Sequence, residues 1–338
     1  MSRRVFVTGT AGFIGFHVAK KLLEQGELVH GWDGITDYYD PRLKRARHAI
    51  LNQYKNFTCT EQMLENRAEL ERAYASFEPE VVVHLAAQAG VRYSIEDPYS
   101  YIDSNIVGVM NLLELARNSD LQHLVMASTS SVYGANDDFP FREKSQTEMP
   151  MSLYAATKKA NEMMAHSYAH LFKIPTTMFR FFTVYGPWGR PDMALFKFTD
   201  AILEGRPIDV FNHGKMARDF TYVGDIARGI CELIDVPPQE LPRAEIPQWD
   251  SLSCVAPFRT VNIGNSNQVS LMDFIAAVEG ALGRKADYNF LPMQPGDVPS
   301  TQANTELIYS LTGFKPSTDY RVGVQKFVDW YLSYTNKS

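Results

Sequence analysis

Val5-Phe6-Val7-Thr8 followed by Gly9-Thr10-Ala11-Gly12-Phe13-Ile14-Gly15 is the stretch that most narrows what this chain can fold into. The first four residues form a short β-rich run suited to a buried strand. The glycines keep a G-x-x-G-x-x-G spacing and open a helical segment that runs to about Glu24. Glycine lets the backbone approach a pyrophosphate closely, and a helix N-terminus adds N–H donors and a positive dipole end. The spacing alone is weak evidence, but its context is complete: strand before, helix after, and an acid closing the next strand. That strand is Leu28 to Asp33, and its carboxylate stands 18 residues beyond Gly15. An acid there suits the ribose hydroxyls of an adenosine and repels a 2′-phosphate, so NAD is expected rather than NADP. The expected contacts from this part of the chain are Gly9, Gly12, Phe13, Ile14, Gly15 and Asp33.

The rest of the first half keeps the same rhythm. Val81-Val82-Val83-His84-Leu85 is a continuous run of the kind found in strands buried on both faces. Polar residues from Asp37 to Tyr54 are expected to form loop and helix. Further helices are expected over about Ser100–Asn118 and Tyr154–Phe172, and strands over Leu121–Ser128 and Thr176–Phe182. Alternation of this kind implies an α/β fold: a Rossmann-type, doubly wound parallel sheet. Past Tyr185 the elements shorten, which predicts a smaller C-terminal α/β lobe. The expected division gives 1–182 plus about 224–264 to the NAD-binding domain, and about 183–223 plus 265–338 to a substrate lobe. Pro-rich Val236–Pro257 reads as a surface excursion.

A net charge of −6 gives no nucleic-acid footprint. Cys59, Cys231 and Cys254 show no metal spacing, so no metal is expected, and their odd number precludes full internal pairing. No signal peptide and no run of 18 apolar residues is present, so the expectation is a cytoplasmic protein without a membrane partner.

Chemistry is concentrated in Ser128-Thr129-Ser130-Ser131-Val132-Tyr133-Gly134 and Tyr154-Ala155-Ala156-Thr157-Lys158. Residues at i and i+4 share a helix face, so Tyr154 and Lys158 can point into one small volume. An ammonium beside a phenol favours the phenolate, which turns a tyrosine into a base usable near neutral pH.

With His84-Leu85-Ala86-Ala87 and Arg218-Asp219-Phe220-Thr221-Tyr222-Val223, these motifs resemble, in order, those of the extended short-chain dehydrogenase/reductases of the nucleotide-sugar epimerase type. The resemblance spans residues 5 to about 300. It implies that Tyr154 takes the proton from the sugar O4, that Lys158 holds the nicotinamide ribose and keeps the tyrosine acidic, and that Thr129 bonds the reacting oxygen. It adds Leu85, Ala86, Ala87, Asn105 and Ser128 to the cofactor contacts. It also implies a homodimer through the helices near 100–118 and 154–172, with Met163 and Met164 available for packing.

The same fold runs several chemistries. Sugar 4,6-dehydratases carry Asp-Glu after the catalytic threonine, and uronate decarboxylases tend to carry Glu in the slot of Ser131. This chain has Ser130-Ser131, which favours oxidation at C4 followed by reduction on the other face. Asp37-Tyr38-Tyr39-Asp40-Pro41, Gly90-Val91-Arg92-Tyr93-Ser94 and the segment Val184–Ala194 look most like UDP-glucuronate 4-epimerases. On that resemblance Ser130, Ser131 and Thr183 join Thr129 in a neutral cradle for the uronate, with Arg190 and Arg92 as nearby cations. Arg218 matches the residue that holds the UDP diphosphate, and Asp297, in Pro295-Gly296-Asp297-Val298, matches a uridine-ribose contact. The runner-up is UDP-glucose/UDP-galactose 4-epimerisation, with UDP-uronate decarboxylation behind it; a net dehydrogenase and a non-catalytic NAD-binding scaffold are further alternatives.

Three positions depart from the family pattern: Gly34, Met63, and Gly224, which in Val223-Gly224-Asp225-Ile226 stands where Asp is usual. Gly34 stands where Asn is usual, and Met63 where Asp is usual at the adenine-contacting position. The second change is expected to remove a hydrogen bond to the adenine amino group.

Overall fold

The computed structural model describes residues 2–294 and 296–336. In chain order its strands are β1 (Arg4–Thr8), β2 (Leu28–Asp33), β3 (Phe57–Glu61), β4 (Val81–His84), β5 (His123–Ala127), β6 (Thr176–Phe181), β7 (Thr183–Tyr185), β8 (Ile208–Val210), β9 (Ala217–Tyr222), β10 (Phe258–Ile263), β11 (Gln268–Ser270) and β12 (Tyr288–Phe290). Seven of these form one parallel sheet in the order β10-β6-β5-β4-β1-β2-β3. The chain winds outward from β1 to β3 and then restarts at β4 on the other side of β1. The switch point between β1 and β4 is where an open α/β sheet leaves a crevice at its carboxyl ends.

Alternate residues of the same strands feed two cores, which is why these strands read as unbroken apolar runs. Val5, Val7 and Val83 pack with Phe16 and Leu22 of the helix Phe13–Glu24 and with Ile226 and Ile230 of the helix Val223–Ile234. Phe6, Val82 and Leu124 face the opposite side, against Leu112 and Leu113 and against Ala165 and Ala169 of the helix Leu153–Phe172. Each such fully buried large aliphatic side chain contributes about 1.5–3 kcal/mol.

The smaller unit holds the three-stranded β11-β9-β7 sheet and the β12-β8 pair. Helices Ala194–Leu203, Leu271–Leu282 and Tyr320–Thr335 enclose a core around Phe198, Phe220, Phe274 and Phe327. Phe220 and Phe274 stack with ring centroids 3.8 Å apart.

The elements differ from expectation in three places. The segment expected as one helix over 100–118 comprises Pro98–Ile102, a π-helical turn Asp103–Val107 and Gly108–Ala116. The excursion Val236–Pro257 is anchored by buried Asp250, which accepts from Arg259 of β10 at 2.8 and 2.9 Å. The helix Glu306–Thr312 sends Leu307 and Ile308 into the core of the large sheet. We therefore propose the two-lobe division with 306–312 transferred to the NAD-binding side. Among the described residues no helix is long and apolar enough to cross a membrane.

Candidate active site

The carboxyl ends of β1, β2, β4, β5 and β6 open into a cleft of about 1380 Å³ that is closed on its far side by the smaller lobe. Every residue expected to touch cofactor or substrate lines it, with the exception of Asn105. Pro295 of the Gly296-Asp297 turn lies outside the described residues.

The dinucleotide turn is tight for stated reasons. Gly9 has φ 81°, and a Cβ there would lie 2.7 Å from the Ala86 nitrogen on the loop after β4. A Cβ on Gly15 would overlap the Gly9 carbonyl oxygen. Gly12 caps the helix Phe13–Glu24 without a side chain, and the first-turn amides of such a helix have no partner within it. The Asp33 carboxylate accepts from Ala11 N at 2.9 Å and from Ile35 N at 2.8 Å. Each oxygen keeps a lone pair for a ribose hydroxyl. A glycine cradle, a helix N-terminus and an oriented carboxylate together fit a dinucleotide such as NAD.

Gly34 and Met63, two of the departures from the family pattern, are one packing solution. A Cβ on Gly34 would collide with the Met63 sulfur, and both residues line the cleft beside Asp33. Gly34→Asn alone is expected to displace Met63 and lower NAD retention, at a cost of about 1–3 kcal/mol. Gly34→Asn with Met63→Asp should recover it, as read by the ratio of bound dinucleotide to protein after gel filtration. A double variant that retains no more NAD than the single one would break the pairing.

Asn105 is fully buried, and its side chain clamps the loop after β4. Its amide donates to the Gln88 carbonyl at 3.0 Å and to Thr157 Oγ1 at 3.1 Å, while its oxygen accepts from Gln88 N at 2.9 Å. The π turn carries it inward, so Asn105 shapes Leu85-Ala86-Ala87 from behind and does not line the cofactor cleft. Ser128 likewise spends its hydroxyl on Glu162, at 2.7 Å.

Tyr154 stands in the first turn of the helix Leu153–Phe172, whose N-cap Ser152 accepts from Ala155 N at 3.1 Å. Lys158 follows one turn later, and both side chains reach the cleft. Burial pushes the Tyr154 phenol above the ordinary tyrosine range, with the Thr129 hydroxyl and then the Arg190 charge pulling it down. Burial weakens the Lys158 ammonium itself, pushing it down to about 8, partly offset by Glu162. Glu162 is buried and bidentate to Arg180 at 2.8 and 2.9 Å, so the charge behind the lysine is a fixed network.

Thr129 is the N-cap of the 3₁₀ turn Ser130–Tyr133: its oxygen accepts from Ser131 N and its hydroxyl donates to Ser131 Oγ, both at 3.2 Å. Thr183 opens β7 on the facing wall. Arg190 is gripped by Asp192 at 2.9 and 2.5 Å, and Tyr38 donates to the same carboxylate at 3.2 Å. Arg92 pairs with Asp297 at 3.2 Å and lies 4.7 Å over the Phe211 ring. That groups it with the residues expected at the nucleotide end. Arg218 lies in the same region; burial lowers its guanidinium affinity for a proton, which Asp297 partly restores.

A helix is expected within 37–54 and found at Pro41–Leu51, but its burial of charged residues is not anticipated by the sequence. Lys44, Arg47 and His48 are buried on its inward face together with Leu43 and Leu51. His48 bonds Thr10 Oγ1 at 2.9 Å, and Arg47 donates to the Ala11 carbonyl at 2.7 Å, both within the glycine turn. The only signal was the i, i+3, i+4 spacing of the three, which for charged residues ordinarily marks a solvated face.

A model of the NAD dependent epimerase/dehydratase family matches residues 5–244. The chain is 58% identical over 329 residues to a probable UDP-glucuronate 4-epimerase of Rhizobium meliloti (strain 1021), covering 97% of this chain and 96% of that one. It is 46% identical to UDP-glucuronate 4-epimerase 4 of Arabidopsis thaliana over 98% of this chain and 75% of that one. The fold matches the crystal structure of a UDP-glucuronic acid 4-epimerase from Bacillus cereus in complex with UDP-glucuronic acid and NAD, with a TM-score of 0.87, 31% identity, and coverage of 98% and 99%. With the family model matched over residues 5–244 and a relative 58% identical over 97% of this chain, the chain belongs to the NAD dependent epimerase/dehydratase family.

Proposed function

We propose that this protein is an NAD-dependent UDP-sugar 4-epimerase that interconverts UDP-glucuronate and UDP-galacturonate through a 4-keto sugar held in the cleft. The observation that carries this is the wholly hydroxylic run Thr129-Ser130-Ser131 sharing one cleft with Tyr154, Lys158 and Arg190. The named relatives support the choice of sugar.

Bound NAD supplies the two-electron acceptor for sugar C4 and returns the electrons to it. Tyr154 takes the O4 proton and gives it back after the sugar has turned. The helix N-terminus beside Tyr154 favours the phenolate it becomes. Thr129, held in place as an N-cap, bonds the same oxygen. Lys158 holds the ribose next to the reacting carbon. Arg218 takes the diphosphate through its planar guanidinium, and Asp297 accepts from the uridine ribose. Thr129, Ser130, Ser131 and Thr183 bond the uronate carboxylate, with Arg190 as its cation. A 4-keto uronate is a β-keto acid, and a carboxylate fixed in orientation resists loss of CO₂.

The test offers UDP-glucuronate and UDP-glucose separately, without added NAD, to the wild type and to Thr183→Val, with products followed by NMR. The wild type is expected to turn over the uronate and leave the glucose almost untouched. Thr183→Val should raise the uronate KM roughly tenfold, the loss of one hydrogen bond to a charged group. Faster turnover of UDP-glucose, or an unchanged KM in the variant, would overturn the sugar assignment.

The active form is proposed to be a homodimer. Its support is the exposure of Ile102, Val107, Met110, Met163, Leu171 and Phe172 on the two helical segments expected to pair. Met164 instead packs inward against the core. A monomer in sedimentation equilibrium would contradict the dimer.

A further inference from the structure

Arg47 is fully buried, and all its acceptors are neutral: the Ala11 carbonyl at 2.7 Å, the Tyr39 hydroxyl at 2.8 Å, and the carbonyls of Trp188 at 2.6 Å and Gly189 at 3.4 Å. A buried charge is expensive unless its hydrogen bonds are made. Nε has no partner among the described residues, and the bonds of the two terminal nitrogens, Tyr39 aside, go to two backbone segments far apart in the chain. One is the dinucleotide turn. The other is the loop that delivers Arg190.

That loop does not hold its shape by itself. Trp188 has φ 62°, in the left-handed region that a bulky residue avoids. Its ring is wedged against Phe16 of the dinucleotide helix and Trp330 of the C-terminal helix, with centroids 5.5 and 5.2 Å away. His17, on that same dinucleotide helix, donates to the Pro187 carbonyl at 2.9 Å. Three consecutive carbonyls, 187 to 189, are thus fixed by side chains of the cofactor-binding unit. Immediately beyond them Arg190 enters the cleft and is locked by Asp192 and Tyr38.

We propose that Arg47 is the positioning residue through which the dinucleotide turn sets the placement of Arg190, so that the substrate cation is correctly aimed only when the cofactor turn is in place. The planar fork is what makes this possible, because one guanidinium can donate to Ala11 and to Trp188 together. A lysine at the position keeps the charge but presents it as a single point in place of the planar fork. The identity of Arg190's ligand rests on the epimerase assignment above; the mechanical link does not.

The test compares holoenzyme of the wild type, Arg47→Lys, Arg190→Ala and the double variant. Calorimetry measures UDP-glucuronate Kd, and hydrogen exchange follows the backbone of 186–194. Arg47→Lys is expected to raise Kd about tenfold, and the double variant to bind no worse than Arg190→Ala alone, because a residue acting through another adds nothing once that other is gone. Exchange of 186–194 should quicken in Arg47→Lys and stay near wild type in Arg190→Ala. Arg47→Gln, which retains a planar donor but no charge, should also quicken it, and serves where the lysine variant does not fold. Additive losses in Kd, or exchange of 186–194 unchanged in the Arg47 variants, would overturn the proposal; a general weakening would speed exchange elsewhere as well. Failure of the wild type to convert UDP-glucuronate would sink the functional assignment, while the exchange arm, which needs no sugar, would still decide on Arg47.

Discussion

Tyr154→Phe is expected to lower kcat by about 10²–10⁴-fold, the ordinary worth of a positioned general base. The fold and the retained NAD should survive. The Tyr154 ring packs edge-on to Tyr101 at 6.1 Å between centroids, a contact that phenylalanine reproduces. UDP-glucuronate KM should move little, because the lost hydroxyl meets the sugar at the oxygen where charge develops rather than where the ground state is gripped. The pH profile gives a second readout. A base must lose its own proton before it can act, and burial holds the Tyr154 phenol above its usual range, so wild-type kcat should climb with pH through neutrality. That climbing limb should vanish in the variant. A phenylalanine enzyme keeping a third of wild-type kcat would remove Tyr154 from the role.

Lys158→Met is expected to push activity and stability in opposite directions. Activity should fall by a factor of the same order as for Tyr154, from the role proposed for the ammonium in holding the ribose beside the reacting carbon. Stability of the dinucleotide-free protein should rise. Burial lowers the Lys158 pKa from 10.5 to about 8. Between those values the unfolded chain binds a proton that the folded chain has lost, so the stability of the native lysine protein rises with pH through this window. Below pH 8 the folded state carries the buried charge and its full penalty. Methionine removes the charge at similar length, and Glu162 keeps its bidentate partner Arg180. A gain of about 1–3 kcal/mol near pH 7 is expected. It should shrink as pH rises above 8 and disappear near 10.5. Thermal unfolding of the two stripped proteins against pH reads this directly; a variant less stable than wild type at pH 7 would mean that the lysine is paid for by contacts its burial does not reveal.

The parts of the site that the sequence made legible are those whose chemistry is local. Gly9, Gly12 and Gly15 announce themselves because strand, turn and helix follow within a few residues of one another. Tyr154 and Lys158 are legible because one helical turn suffices to join them. The neutral character of Thr129-Ser130-Ser131 is visible in three consecutive letters. What stayed hidden is long-range. Arg47 reaches acceptors 36 and 141 residues away, and its helix buries Lys44 and Arg47 beside Leu43 and Leu51, which hydrophobic periodicity alone does not announce. Asn105 sits in the π turn with its side chain bonded to Gln88 and Thr157, a change of phase that an uninterrupted 3.6-residue pattern cannot express. The helix Glu306–Thr312 is apolar enough for either lobe, and only its packing beside Ile226 and Ile230 assigns it to the larger one. Gly34 and Met63 read in the sequence as two separate departures; the collision that a Cβ on Gly34 would make with the Met63 sulfur joins them.

The central claim is that one cleft oxidises the sugar at C4, keeps both products of that step, and reverses it on the opposite face. UDP-glucuronate carrying deuterium at C4, incubated with the purified protein and an excess of unlabelled dinucleotide in solution, tests this most directly. The account predicts UDP-galacturonate with the deuterium retained at C4, none of it in solvent or in the free dinucleotide pool. Product formed with the label lost to either would contradict it.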